Sequence, residues 1–260
     1  MMLNNYPDTF IAVEIHTSGQ YTTQWGNQRI TFYGVSGTPT AWFDGVDPLV
    51  GAYTDVNQQY NWYRDEYLAR LPVPTDVTVN VRAVKVSPTS CQVFAEIGIE
   101  PGGVGKRVRL HMVQVLDHWP TSPSYSRNTV KQGQIWGMFM TLEPGQTGVL
   151  SRRLTFDAES WANENNIRVV VWAQSTETSA PAEVYNAGYV SGPFQWLTGD
   201  LNCDGEVGFT DINPFVLAMG GEAGYYAVYP DCNWYNADIN HDGLVSFADI
   251  NPFVALLVGL

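Results

Sequence analysis

The chain has 260 residues, of which 45% are hydrophobic and 15% are charged, and its formal net charge is −13. This composition is typical of a folded protein with more than one core, and it excludes a disordered acidic tail. The negative charge repels phosphate, so nucleic acid and anionic membrane surfaces are not expected partners. No apolar run approaches the ~20 residues that cross a bilayer, so no membrane span is predicted.

The first predicted segment, residues 1–72, alternates strand and helix patterns. In chain order its elements are a strand over 10–15, a helix within 20–34, strands over 40–43 and 51–53, and a helix over 55–70. The start, from Met1 to Tyr6, lacks the basic flank and the apolar stretch of a secretory signal. Either the protein is cytoplasmic or its natural start lies upstream of this sequence, and the resemblance to exported proteins described below favours the second interpretation.

The second predicted segment, residues 73–192, begins after a stiff joint at Pro72 and Pro74. Hydrophobic residues alternate with period two over 77–81, 93–99 and 108–112, and residues 167–172 form a fully apolar strand. Many short strands separated by Gly-Pro turns predict an antiparallel β-sandwich. Residues 193–198 are the predicted linker to the last segment.

The third predicted segment, residues 199–260, contains an internal repeat with a period of 38 residues. One copy begins at Asp200 and the other at Asp238, and each continues into Asp-Ile-Asn-Pro-Phe-Val, the start of an apolar helix. Proline is tolerated in a first helical turn, because its missing N–H would lack an intrahelical partner there.

Each copy has the spacing of a twelve-residue calcium loop. Such loops offer oxygens from positions 1, 3, 5 and 12 and a backbone carbonyl from position 7, and they place glycine at position 6. The predicted ligands are Asp200, Asn202, Asp204, the carbonyl of Glu206 and Asp211 in the first loop, and Asp238, Asn240, Asp242, the carbonyl of Leu244 and Asp249 in the second. Ordinary turn chemistry would explain one such stretch. Two copies in register predict two Ca²⁺ ions.

These paired loop–helix repeats resemble the type I dockerin family, whose members dock onto cohesin domains in polysaccharide-degrading assemblies. The resemblance implies a cohesin-like or other protein receptor, or docking on another domain of the same chain. Members that bind known cohesins place small hydroxylated residues at loop positions 10 and 11, and often a basic pair further along the helix. Here these positions hold Phe209-Thr210 and Phe247-Ala248, and Val216-Leu217 replaces the basic pair.

The three cysteines have different predicted roles. Cys203 lies in the first loop and Cys232 just before the second, so a disulfide between them is one interpretation, and two unrelated thiols are the other. A disulfide would indicate an oxidising compartment. Cys91 lies on a predicted strand and is expected to be a buried small hydrophobe.

The front of the chain carries a second resemblance. The run from Gly37 to Thr40 before an apolar strand looks like the cis-proline loop of the thioredoxin fold, of which only the second half, without Cys-x-x-Cys, would be present. With the sandwich segment it is similar to a bacterial outer-membrane-protein (Omp) family of exported proteins. The matching stretches are residues 15–17, 34–45, Trp161 and 165–174.

The predicted fold class is therefore multidomain α+β, with a partial thioredoxin-like α/β segment, an antiparallel β-sandwich and a small α-helical dockerin-type calcium module. The histidines are scattered, and no complete catalytic constellation is present. The leading hypothesis is a non-catalytic calcium-binding protein, secreted, periplasmic or on the cell surface, that is associated with polysaccharide-degrading machinery. The alternative is a thiol-disulfide oxidoreductase-like protein whose Cys-x-x-Cys half is absent from this chain.

Overall fold

The computed structural model describes residues 1–120, 126–134 and 137–259, and it has a mixed α/β fold with antiparallel sheets. The α-helices are α1 (Met2–Asn5), α2 (Gln24–Phe32), α3 (Val56–Arg70), α4 (Ala158–Ala162), α5 (Ile212–Met219), α6 (Glu222–Tyr226) and α7 (Ile250–Val258). Single 3-10 turns occupy Glu164–Asn166, Phe209–Asp211, Trp234–Ala237 and Phe247–Asp249. Within the described ranges, no helix has both the length and the apolar character that crossing a membrane requires.

The strands form three sheets. They are β1 (Thr40–Phe43), β2 (Asp47–Val50), β3 (Val77–Ser87), β4 (Ser90–Ile99), β5 (Lys106–Leu116), β6 (Thr129–Gly133), β7 (Met138–Leu142), β8 (Thr147–Thr155), β9 (Ile167–Gln174) and β10 (Val184–Ser191). β1 and β2 pair with each other, and β3, β4 and β8 form a sheet in the order β3-β4-β8. The largest sheet has the order β10-β9-β5-β6, with β7 also paired to β5.

The chain divides into two compact units. Unit 1 comprises Met1–Val81, Ala95–Leu150 and Asn165–Gly192, and unit 2 comprises Arg82–Phe94, Ser151–Glu164 and the chain from Pro193 onward. The domain boundaries predicted from the sequence stay a prediction, because this division follows spatial contacts and joins separate stretches of chain.

The core of unit 1 lies on its largest sheet. β9 pairs with β10 on one side and with β5 on the other. Its successive residues from Val169 to Ala173 are all buried, so both faces of the strand are covered, which explains this apolar run. A buried cluster on this sheet contains Trp25, Val113, Val115, Val130, Val170 and Trp172. Full burial of a side chain of the size of valine contributes roughly 1.5–3 kcal/mol.

Several elements predicted for residues 1–72 are confirmed. Helices α2 and α3 and strand β1 lie where the sequence places them, and the Thr38–Pro39 peptide bond is cis. Each helix begins at a side-chain cap, because the hydroxyl of Thr23 accepts from the Gly26 amide and the carboxylate of Asp55 accepts from two amides of its first turn.

Two predicted strands are wrong. Residues 10–15 form no ladder, and only Glu14 makes an isolated parallel bridge, to Thr129. Their apolar side chains pack against the cluster around Trp25, so the run is apolar because of burial without strand pairing. The strand predicted at 51–53 lies instead at β2, because the turn through Asp44 and Gly45, both at positive φ, reverses the chain at once.

Candidate metal-binding loops

Unit 2 contains the two repeated loops, loop 1 (residues 200–211) and loop 2 (residues 238–249), and each leads through a 3-10 turn into a helix. The acid at position 12 caps that turn in both copies. A carboxylate oxygen of Asp211 accepts from the Gly208 amide at 2.8 Å, and one of Asp249 accepts from the Ser246 amide at 2.8 Å. These caps tie the end of each loop to the start of α5 or α7.

The same acids also hold the start of their loops. The second carboxylate oxygen of Asp211 accepts from the amides of Leu201 and Asn202 at 2.7 and 3.0 Å. Likewise, one carboxylate oxygen of Asp249 accepts from the amides of Ile239 and Asn240, at positions 2 and 3 of loop 2, at 2.8 and 3.1 Å. Position 12 therefore closes each loop onto its own beginning.

The carboxylates at position 1 reach the tight turn at position 6. Asp200 accepts from the amide of Gly205 at 2.9 Å, and Asp238 accepts from that of Gly243 at 2.9 Å. These glycines have φ of 95° and 86°. Glycine adopts this conformation without a steric penalty from Cβ, which is why the loops need it there.

Positions 3 and 5 also contact each other in both copies. The Asn202 amide group donates to the Asp204 carboxylate at 2.9 Å, and the Asn240 group donates to that of Asp242 at 3.0 Å. The carboxylates at position 5 then accept from the amides at position 7, those of Glu206 and Leu244. In both loops, the carboxylates at positions 1 and 12 are thus held by backbone amides, and the side chains at positions 3 and 5 hydrogen-bond to each other.

Burial makes these carboxylates unusual. Asp200, Asp211 and Asp249 are fully buried, and Asp238 is nearly so. Burial, opposed by the hydrogen bond from the Gly205 amide and reinforced by the nearby carboxylates of Asp211 and Asp204, raises the pKa of Asp200 to about 7. Burial likewise raises the pKa of Asp211. Buried anions that face one another are costly unless a cation neutralises them, so this donor set fits a hard divalent cation.

The acidic side chains of each loop do not converge on a common point. Among the residues described in the structure, no three His, Cys, Asp or Glu side chains converge as metal ligands. The oxygens of each loop are instead held by backbone amides, and calcium loops also draw on amide and carbonyl oxygens. Glu206 and Leu244, predicted to contribute their carbonyls, occupy the same position in the two loops, and both are exposed.

Between the loops lies one apolar core. The rings of Phe215 on α5 and Phe253 on α7 stack with their centres 4.2 Å apart, and Val207 and Val245 pack against the same cluster. Equivalent residues of the repeat therefore meet across the centre of the module. We refer to the loops with α5, α6 and α7 as the loop module.

A disulfide joins Cys203 in loop 1 to Cys232, as one of the two interpretations of the sequence proposed. Sequence reasoning missed two further supports of loop 1. The hydroxyl of Tyr225 donates to the carbonyl of Leu201 at 2.7 Å, and the side-chain amide of Asn236 donates to the carbonyl of Asp200 at 2.7 Å. Neither residue belongs to the repeated pattern, so the repeat carries no signal for them.

One face of the loop module is apolar and exposed. Phe209 is 76% exposed and Phe247 is 82% exposed, and both are at loop position 10. The adjoining helices expose apolar residues at equivalent positions of the two copies, Ile212 and Val216 on α5 and Ile250 and Val254 on α7. We call these six residues the apolar face. The first helical turns of the two copies contribute equivalent residues to it.

Two further side chains are buried outside the loops, the thiol of Cys91 in unit 2 and the imidazole of His111 in unit 1. Cys91 is fully buried, and burial raises the pKa of its thiol to about 12, so the thiolate is not available at neutral pH. His111 is also buried, and its ring stacks on that of Trp172 with the centres 4.9 Å apart. Burial, with Arg29 and Arg109 nearby, holds the pKa of His111 well below its usual value, so the ring is neutral.

No protein-family model and no curated protein match the sequence of this chain. Among solved structures, the chain is similar to HBP35 of Porphyromonas gingivalis, with a TM-score of 0.56 and 14% identity over 70% of this chain. The match covers 63% of that protein, and at this identity it shows a similar fold and nothing more. A domain of the outer membrane lipoprotein Omp28 from Porphyromonas gingivalis matches 47% of this chain and 93% of its own length, with 14% identity and a TM-score of 0.34. That score is too low to support an argument.

Proposed function

We propose that this chain is a non-catalytic calcium-binding protein whose loop module is a dockerin-type assembly module. The observation that carries the proposal is the repeated geometry of loops 1 and 2. Their equivalent hydrogen bonds agree within 0.1 Å, and both bury the acids at positions 1 and 12. Turn chemistry alone gives no reason to bury four carboxylates, whereas binding of a divalent cation does.

Two Ca²⁺ ions would be held by the ten residues that the sequence indicates, through side-chain oxygens at positions 1, 3, 5 and 12 and the carbonyls of Glu206 and Leu244. A bound ion would neutralise the buried acids. The protein supplies the order of each loop through its position-6 glycine and its position-12 cap. A module of this size has a thin core, so calcium binding is coupled to its stability.

The proposed assembly surface is the apolar face. Large exposed aromatic side chains are typical anchors of protein interfaces, and Phe209 and Phe247 are the most exposed large apolar side chains among the residues that the structure describes. The occupant would be a cohesin-like or other protein receptor with an apolar surface, in the setting of polysaccharide-degrading machinery. Docking of this face on another domain of the same chain stays the alternative.

The finer fold assignments are also proposals. Residues 1–72 would be a partial thioredoxin-like segment, which is supported by the order α2, β1, β2, α3. Residues 73–192 would be a β-sandwich, which is supported by the two larger antiparallel sheets. The disulfide between Cys203 and Cys232 supports a secreted, periplasmic or cell-surface location, because such bonds persist in oxidising compartments.

Calorimetric titration of the full chain with CaCl₂, after removal of bound metal, tests the proposal. We expect two ions per chain. Asp211→Asn and Asp249→Asn should each abolish or strongly weaken one site, because each removes a charged ligand and leaves the other loop intact. Asp231→Asn is the matched control, since Asp231 is an exposed acid outside both loops. Absence of saturable calcium uptake, or equal loss in the control, would refute the proposal.

The oxidoreductase alternative has no observation in its favour within the described residues. Cys203 and Cys232 are joined to each other, and Cys91 is a buried thiol with a raised pKa. The alternative stays a prediction.

A further inference from the structure

The two loops have the same sequence pattern but different surroundings within unit 2. The end of the β3–β4 hairpin, Arg82–Phe94, belongs to this unit, and we call it the hairpin segment. Val86 of the segment is buried in the core of the loop module, and the Lys85 amide donates to the Gln195 carbonyl at 2.7 Å. The loop module therefore packs on the hairpin segment.

Loop 1 is the part of the module that the hairpin segment covers. Gly205 is buried, and a Cβ at this position would lie 2.7 Å from both Cβ and Cγ of Gln92 and 3.1 Å from Cζ of Phe94. The guanidinium of Arg82 lies 3.7 Å from the centre of the Phe94 ring and 3.8 Å from the carboxylate of Glu206. The tight turn of loop 1 is thus held from outside as well as by its own hydrogen bonds.

Loop 2 has no such cover. Gly243 is exposed, and no described atom outside its immediate neighbours lies within 4 Å of a Cβ built there. Its backbone conformation is nearly that of Gly205, with φ of 86° and 95°. The disulfide also distinguishes the loops, because Cys203 lies within loop 1 whereas Cys232 lies before the start of loop 2.

We infer that the two loops are unequal metal sites: loop 1 is a structural calcium site that depends on the hairpin segment, and loop 2 is an open site that exchanges calcium with solvent. This inference rests on the proposed function. A covered, pre-ordered loop loses less conformational freedom when it binds an ion, and it must open before the ion can leave. Loop 2 exchanges its ion without disturbing any packing against strands.

The unmodified full chain gives the first test. After loading with Ca²⁺ and rapid mixing with excess Quin-2, a fluorescent calcium chelator, we expect release in two phases of equal amplitude whose rates differ by about tenfold or more. Release of both ions in one phase would overturn the inference and leave the proposed function standing. Absence of calcium release would overturn the proposed function itself.

A matched pair of variants assigns the phases. Gly205→Ala and Gly243→Ala impose similar backbone strain, but only the first also inserts a methyl group into Gln92. We expect Gly205→Ala to weaken its site about tenfold more than Gly243→Ala weakens the other and to accelerate the slow phase. Gly243→Ala should affect only the fast phase.

A rescue variant separates the packing effect from the strain. Gln92→Gly removes both atoms that the new methyl group would meet. It should restore part of the affinity lost in Gly205→Ala and none of that lost in Gly243→Ala. Equal losses in the two alanine variants, or equal rescue by Gln92→Gly, would contradict the inference. If Gly205→Ala does not fold, the inference is tested by whether the unmodified chain releases calcium in two phases or in one.

Discussion

Removal of the Cys203–Cys232 disulfide should destabilise the loop module more than any single surface change. The bond joins residues 29 apart in sequence. For a closed loop of that length, the chain-entropy relation gives about 3.6 kcal/mol at 25 °C, within the usual range of 2–4 kcal/mol. The double variant Cys203→Ala/Cys232→Ala should lose about this much, because alanine keeps the apolar character of both buried positions.

This loss can be measured locally by hydrogen exchange of the full chain, followed by mass spectrometry on peptides from α5 and α7. A local measurement is needed because a chain with two compact units need not unfold in a two-state transition. Protection of these peptides should fall by roughly two to three orders of magnitude, while peptides from β9 in unit 1 serve as the internal control. A reductant should have the same effect on the unmodified chain and none on the double variant. A loss below about 1 kcal/mol, or an undiminished response of the variant to reductant, would refute the reasoning.

Three further predictions concern single side chains. Tyr225→Phe should cost about 1–2 kcal/mol in urea unfolding, because the buried carbonyl of Leu201 loses its donor; Tyr235→Phe, at a site that is 55% exposed, should cost nothing measurable. The neutral ring of His111 has a lowered pKa, so its contribution to stability is complete above pH ~6.5 and is lost as pH falls below that value; His111→Gln should flatten this dependence in thermal unfolding followed at several pH values. Phe247→Ser should change stability by less than about 0.5 kcal/mol and leave calcium titrations unaltered, since its side chain is 82% exposed. An unchanged pH profile in the His111 variant, or a large stability loss in the Phe247 variant, would count against the respective account.

The sequence predicts elements well where a side chain has one local role. Asp55 caps α3, and the position-6 glycines mark the turns of both loops, because a cap and a positive φ each demand particular residue types. The repeat therefore predicts the hydrogen-bonded frame of the candidate site. The apolar run at residues 10–15 is different, since burial alone does not determine whether a segment finds a strand partner.

The different packing around the two loops cannot be predicted from any local sequence pattern. Gly205 and Gly243 occupy the same position of the repeat, but one is buried against Gln92 and the other is exposed. Tyr225 likewise supports loop 1 from outside the repeat. Such contacts arise from the packing of distant stretches of chain, and a single sequence gives them no periodic signature.

The central claim is that the buried acids of loops 1 and 2 hold calcium, and mass spectrometry of the intact chain under non-denaturing conditions tests it most directly. The full-length protein, equilibrated with micromolar to millimolar Ca²⁺, should carry two calcium ions. The double variant Asp200→Asn/Asp238→Asn should carry none under the same conditions. Spectra in which the unmodified chain carries no more calcium than this variant would contradict the account.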